Sequence, residues 1–217
     1  MQKIKYGVIG ASGRMGVEII NVMNENENDL VFKYDIDGEW KKDKPEVLID
    51  FSLPVVFEKT IYYALSFNCP LVCGTTGLSN EQLNKLKDIS QKIAVVQSFN
   101  FSVGIQMLIK CTQMLSKNLT DWDIEISETH HRFKKDKPSG TAIMLKNAIG
   151  KEVNISSLRL GNVPGDHEVS FGGLGEVISI KHSATSRRTF AEGAVKSAYF
   201  LLNKKNGFYS FQDVLFS

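Results

Sequence analysis

With 217 residues, 42% of them hydrophobic and 10% aromatic, the chain can bury a sizeable core, either as one large domain or as two small ones. Lys and Arg number 26 against 24 Asp and Glu, a formal charge of +2 that argues against a partner held mainly through phosphate contacts, and so against nucleic acid. Cys69, Cys73 and Cys111 are odd in number, lack C-x-x-C spacing and sit in apolar text, which reads as reduced core residues of a cytoplasmic protein; no apolar run approaches the ~20 residues of a membrane span.

The first hundred residues alternate between two periods. "YGVIG" (6–10) reads as a strand, and "RMGVEIINVMNE" (14–25) places Met15, Ile19, Val22 and Met23 at helical spacing. "LVFKYD" (30–35) and "EVLIDFS" (46–52) read as strands, "VVFEKTIYYALSF" (55–67) as a helix, and "PLVCG" (70–74) and "IAVVQ" (93–97) as further strands. Ser79 and Gln82 form an S-x-x-Q capping arrangement that opens a helix between the last two. The stretches at 24–29 and 41–44 read as surface turns. Short apolar strands separated by helices predict an α/β unit, a doubly wound parallel sheet covered on both faces.

From residue 102 the pattern changes. A long amphipathic helix (102–118) precedes "WDIEISE" (122–128), whose period-two alternation predicts a strand with one dry face. "SSLRLGN", "HEVSFGG" and "GEVISIKHSA" continue this texture to about residue 186 and predict a second, α+β domain with a mixed or antiparallel sheet. After Arg188 a helix returns, "FAEGAVKSAYFLLNK", closed by "NG" at 206–207 and suited to covering the first sheet. The expected division is therefore 1–101 with 187–217 as a dinucleotide-binding domain, and 102–186 as a substrate-binding and oligomerisation domain.

Three constellations carry chemistry. Gly10, Ala11, Ser12, Gly13, Arg14, Met15 and Gly16 follow a strand and open a helix; the glycines let the chain turn tightly and bring backbone N–H groups close to a pyrophosphate. Asp35, 19 residues beyond Gly16, ends the second strand, where a carboxylate can accept hydrogen bonds from ribose hydroxyls. Arg14 could face phosphate or simply solvent. Gly74, Thr75 and Thr76, together with Ser98, Phe99, Asn100 and Phe101, follow the fourth and fifth strands, whose carboxyl ends form the ligand crevice of such a sheet; either loop alone also reads as an ordinary turn or a packed domain boundary.

The third constellation is "ETHHRFKKDKPSGTA" (128–142), where His130, His131, Arg132, Lys134, Lys135 and Lys137 precede Pro138, Ser139, Gly140 and Thr141 at a helix start. Cations beside the unpaired N–H groups of a helix N-terminus suit a carboxylate-bearing substrate, and an imidazole can supply or take a proton near neutrality. Adjacent histidines on an extended segment point to opposite sides and no cysteine or carboxylate completes a ligand spacing, which argues against a metal. An exposed basic loop is the plain structural alternative.

Taken in order, "GASGRMG", "IDFS", "GTTG", "NFSVG", the 128–142 segment, "TSRRTFAEGA" (185–194) and "DVL" make the chain similar to the 4-hydroxy-tetrahydrodipicolinate (dihydrodipicolinate) reductase family along its length. The resemblance implies a Rossmann cofactor domain that includes the C-terminal helix, a homotetramer built through the substrate-domain sheet, and NADH or NADPH as reductant of a cyclic dicarboxylate on the lysine and diaminopimelate route. It implies His130 as proton donor, Lys134 as catalytic cation, His131 as a substrate contact and Gly140 with Thr141 as the carboxylate grip. It further implies cofactor contacts at Gly10–Gly16, Asp35, Gly74–Thr76 and Ser98–Phe101 and hydride transfer to C4; because the cofactor loops and the basic pocket fall on different domains, closure about hinges near 101 and 187 is expected to bring them together. Two departures stand out. The 36–46 segment is short, and Ile36 stands where some relatives carry an arginine for the 2′-phosphate of NADPH, so NADH is the expected cofactor. Another nicotinamide-dependent oxidoreductase of the same plan, and a non-catalytic NADH sensor, remain the alternatives.

Overall fold

The computed structural model describes residues 3–216. The chain begins with β1 (Lys5–Ile9), α1 (Arg14–Glu25), β2 (Asp29–Asp35), β3 (Gly38–Lys41) and β4 (Val47–Asp50). A single 3-10 turn at Pro54–Val56 leads into α2 (Phe57–Phe67), followed by β5 (Leu71–Cys73), α3 (Asn80–Ile89) and β6 (Ala94–Gln97). Next come α4 (Val103–Asn118), β7 (Asp123–His130), α5 (Gly140–Ile149), β8 (Asn154–Arg159), β9 (Asp166–Gly172) and β10 (Val177–Ser183). The chain closes with α6 (Arg188–Leu202), β11 (Gly207–Ser210) and α7 (Phe211–Phe216). These elements form two compact units, Met1–Phe101 with Arg188–Ser217, and Ser102–Arg187.

The first unit holds a seven-stranded sheet in the order β11-β6-β5-β4-β1-β2-β3, parallel except for the β2–β3 hairpin. Its strands read as uninterrupted apolar runs because successive side chains enter two different cores. Tyr6, Val8, Val47, Ile49, Val72 and Val96 meet Ile19, Val22 and Met23 of α1 and Ala194, Ala198 and Leu201 of α6 on one face. Ile9, Leu48, Leu71, Cys73 and Val95 meet Phe57, Ile61 and Phe67 of α2 and Leu86 of α3 on the other. Ser79 and Gln82 form the expected reciprocal cap at the start of α3. The sheet order reverses between β1 and β4, and there the crevice beyond the strand carboxyl ends opens.

Three features depart from the sequence pattern. Part of the 36–46 segment pairs as β3, every residue of which is exposed, so it carries no alternation to betray it. The "NG" at 206–207 does not close α6, which ends at Leu202; it opens β11, where the Gly207 amide donates to the Ser90 carbonyl at 2.8 Å and the strand extends the sheet beside β6. Arg187 belongs to the second unit.

The second unit packs α4 and α5 on a four-stranded mixed sheet in the order β10-β9-β7-β8, with β8 parallel to β7 and the other pairs antiparallel. Ile124, Ile126, Val169 and Phe171 from the dry face meet Ile105, Leu108, Leu145 and Ile149 of the helices. Strand β7 runs two residues further than the alternation alone marks, ending at His130, and this places the histidine on the sheet rather than in a loop. No helix among the described residues is long and apolar enough to cross a membrane.

Candidate functional site

In the first unit the glycine turn is built for close backbone approach. Gly10 lies at φ +79°, left-handed backbone that glycine adopts without strain, and a Cβ there would stand 2.8 Å from the Phe51 carbonyl oxygen. A Cβ on Gly16 would stand 2.8 Å from Ala11 Cα, so α1 can begin directly against the turn only with glycine at that position. Gly13 is the N-cap and no side chain caps the helix, which leaves its N-terminus and dipole to an anion. Ser12, Gly13 and Arg14 are exposed and Met15 is half-buried beside them, while Ala11 is buried. The Asp35 carboxylate accepts the Ser12 amide and, at 2.8 Å, the Ile36 amide. Burial pushes this carboxyl up, but the two amides and nearby Lys33 outweigh it and hold it below the usual range. A turn closed on a carboxylate and an uncapped helix start fits the pyrophosphate and ribose of a nicotinamide dinucleotide.

The loops after β4 and β5 are tied together by Asp50, which lies in the "IDFS" run but to which the sequence assigned no role. Its buried carboxylate accepts the Ser52 amide at 3.0 Å, the Ser52 hydroxyl at 2.5 Å and the Thr75 hydroxyl at 3.0 Å; burial nevertheless raises its pKa. Thr75 also accepts the Ser52 amide, so its hydroxyl is engaged within the protein, whereas Thr76 beside it is exposed. A Cβ on Gly74 would meet the Phe51 ring. Ser98 and Asn100 close a turn on themselves, with the Ser98 hydroxyl donating to the Asn100 carbonyl at 2.8 Å. Phe99 is half-buried. Phe101, expected at the cofactor, has its ring in the core at 5.3 Å from Phe51 and 5.2 Å from Phe211, which leaves only its backbone for a ligand.

In the second unit a buried carboxylate gathers the predicted residues. Glu128 and His130 lie two apart on β7 and so share a face, and His130 Nδ1 meets Glu128 Oε2. Arg159, paired across from His130 on β8, sends Nη1 to Oε2 and Nη2 to Oε1, each at 3.0 Å. The Ser139 amide reaches Oε1 at 3.2 Å, and the Ser139 hydroxyl caps α5 by accepting the Ala142 amide. Glu128 thus joins His130 to the N-terminus of α5, where Gly140 and buried Thr141 open the helix. Arg159 also donates from Nε to the Lys134 carbonyl at 3.2 Å and from Nη2 to the Asp136 carbonyl, which holds the basic loop against the same point. Lys134 pairs with Asp136 at 2.7 Å; Arg132, Lys135 and Lys137 are exposed, and His131 is buried.

The electrostatics follow from this packing. Burial pushes the Glu128 carboxyl up, but the hydrogen bonds from Arg159 and His130 win and hold it down to about 2. Burial pulls His130 below its ordinary value, with Glu128 opposing and Lys134 and Arg159 assisting. Burial likewise pulls His167, whose ring lies 5.1 Å from that of His130, down to about 3.

The profile described as "Dihydrodipicolinate reductase, N-terminus" matches residues 4–101, and "Dihydrodipicolinate reductase, C-terminus" matches 104–215. The chain belongs to this family. It is 50% identical over 212 residues to the 4-hydroxy-tetrahydrodipicolinate reductase of Thermosipho africanus, covering 98% of each chain. It is 39% identical over 237 aligned positions to that of Rickettsia rickettsii, covering 97% and 98%. Among solved structures it is similar to a dipicolinate-bound dihydrodipicolinate reductase from Paenisporosarcina sp. TG-14, with TM-score 0.77 at 25% identity over 96% and 98% of the two chains. Membership in the dihydrodipicolinate reductase family makes the chain an oxidoreductase and implies a nicotinamide cofactor. Glu128, Arg159 and Asp50 build the site without having been assigned a role from sequence: Glu128 and Asp50 fall inside the quoted motifs "ETHHRFKKDKPSGTA" and "IDFS", whereas Arg159 lies in none.

Proposed function

We propose that this dihydrodipicolinate reductase family member reduces 4-hydroxy-tetrahydrodipicolinate to tetrahydrodipicolinate, with NADH preferred to NADPH, in lysine and diaminopimelate synthesis in the cytoplasm. The observation that carries the reading is the convergence of His130, the Lys134–Asp136 loop and the α5 N-terminus on one Glu128–Arg159 pair. When bound, a reduced nicotinamide supplies the hydride that reduces C4 of the dehydrated substrate. The chain's own groups do the rest. Gly10–Gly16 and the α1 N-terminus hold pyrophosphate, Asp35 accepts from the ribose hydroxyls, and the loops 74–76 and 98–101 border the remainder. Lys134, His131 and the amides of Gly140 and Thr141 orient the substrate carboxylates, and His130 releases a proton to the ring as negative charge builds there.

The NADH preference rests on Asp35, whose carboxylate repels a 2′-phosphate, and on Ile36, 94% exposed beside it where no arginine stands. Lys33 lies over the Trp40 ring at 5.7 Å. Assembly as a homotetramer through the four-stranded sheet is supported by exposed apolar side chains on its edge strands and adjoining turns, among them Leu158, Leu174 and Val177.

The decisive assay is loss of reduced-nicotinamide absorbance with the freshly made condensation product of aspartate semialdehyde and pyruvate. His130→Gln should depress turnover far more than NADH binding, and Lys134→Ala should weaken substrate binding as well. Equal loss of turnover and NADH binding in His130→Gln counts against the role given to the imidazole.

A further inference from the structure

Every hydrogen-bonding direction of Glu128 that the structure displays is taken by a donor. Arg159 supplies two, the Ser139 amide a third and His130 a fourth, with the Ser157 hydroxyl beside them, while the carboxylate side chain is fully withdrawn from solvent. An ionised carboxylate only accepts, so the His130 nitrogen facing it must carry a hydrogen. The opposite edge of the ring faces Gly165, where an added Cβ would stand 3.1 Å from Nε2, so glycine at that position keeps a side chain from crowding that nitrogen.

We propose that Glu128, clamped by Arg159, is a positioning residue for the reductase reaction: it fixes His130 as the Nδ1–H species and makes Nε2 the atom that exchanges the proton with substrate. The proposal rests on the reading of His130 as proton donor. In the step itself the imidazolium Nε2–H bond breaks, its electron pair stays on Nε2, and the proton goes to the substrate ring system as it gains the hydride's electron pair. The imidazole left behind is neutral, still donates from Nδ1 to Glu128, and regains its Nε2 proton from solvent. A carboxylate that orients an imidazole in this way stabilises the protonated ring without taking its proton.

The charged and titratable neighbours come from each surrounding element. Glu128 lies on the same strand, Arg159 on β8, His167 on β9, and Lys134 with its partner Asp136 on the loop. Burial, Lys134 and Arg159 all disfavour the imidazolium, and Glu128 is the carboxylate opposing them. His167 is kept neutral by burial and adds no charge at neutral pH. Removing the Glu128 charge should therefore lower the pH at which His130 loses its second proton.

The test has two arms on the full chain. In the first, nitrogen-15 NMR of the wild-type protein labelled at its four histidines, with His130 assigned by the signal lost in His130→Gln, reports which nitrogen holds the hydrogen. A neutral ring protonated at Nδ1 is expected; protonation at Nε2 overturns the proposal without recourse to any Glu128 variant. In the second, the alkaline limb of kcat in Glu128→Gln should move to lower pH by about one unit, a roughly tenfold loss on that limb. KM for NADH should not change, and Glu128→Asp should recover part of the shift. An unmoved limb in a folded Glu128→Gln protein overturns the positioning role. Full turnover in His130→Gln would overturn the proton-donor reading and the catalytic half of this proposal with it, while the wild-type tautomer tests the Glu128–His130 geometry independently of turnover.

Discussion

Replacing Arg159 by methionine removes the two-pronged donor from a carboxylate that has no access to water. The size of the effect follows from Glu128, whose carboxyl is held from an ordinary 4.5 down to about 2 by Arg159 and His130 against the opposing pull of burial. That displacement corresponds to about 3 kcal/mol of stability. Because the folded-state pKa is depressed, the contribution is complete above about pH 4.5 and fades as pH falls towards about 2. His130 shares in that displacement, so the cost of Arg159→Met is set by leaving a buried carboxylate without its partner, about 3–5 kcal/mol at neutral pH and progressively less in acid. The two units need separate readouts, since a single transition cannot be assumed for a chain so divided. Of the two tryptophans, Trp40 lies on exposed β3 and Trp122 packs against the second core, so a Trp40→Phe background makes urea unfolding by fluorescence a report on the second unit. A loss equal at neutral pH and at pH values near 2, or no loss at all, would refute the reasoning. Adding Glu128→Gln should restore part of the stability, because no lone carboxylate then stays buried.

Gly16→Ala places a Cβ 2.8 Å from the backbone of Ala11, which has no side-chain freedom to yield; a cost of about 1–3 kcal/mol and weakened NADH binding by titration calorimetry are expected, and wild-type affinity would count against the cradle. Ile36→Arg should raise the NADPH-to-NADH affinity ratio roughly tenfold by offering a charged donor beside Asp35; an unchanged ratio would mean that the 2′-position lies elsewhere. Cys69, whose thiol burial pushes up to about 12, and Cys73, raised by burial and by Asp50, should resist a disulfide reagent until unfolding, whereas partly exposed Cys111 should react in the native protein.

Much of this molecule could be read one segment at a time. The strand-turn-helix opening at 6–25, the cap on α3 and the alternation of β7 are local: each depends on residues within one or two turns of each other, where steric and hydrogen-bonding preferences act whatever the rest of the chain does. Strand β3 escapes such a reading because all of its residues are exposed, and β11 because it is only four residues long with a single half-buried aromatic, Tyr209, turned to the core; each exists through pairing to an edge, β2 in one case and β6 in the other. Phe101 shows the converse, since an aromatic beside a crevice and an aromatic inside a core look alike until packing assigns the ring.

The order of residues along the chain was enough to determine the family and to mark the glycine turn at 10–16 and the histidine- and lysine-bearing segment at 128–142 as candidate sites. Only the tertiary structure decided what holds them. Glu128 and Arg159 are 31 residues apart and meet because β7 and β8 pair in parallel, so their contact depends on sheet register. No period or spacing within a single segment encodes that register. It is set by burial of the dry face, where a slip of one residue would turn Ile124 and Ile126 towards solvent and carry Glu128 away from its partner.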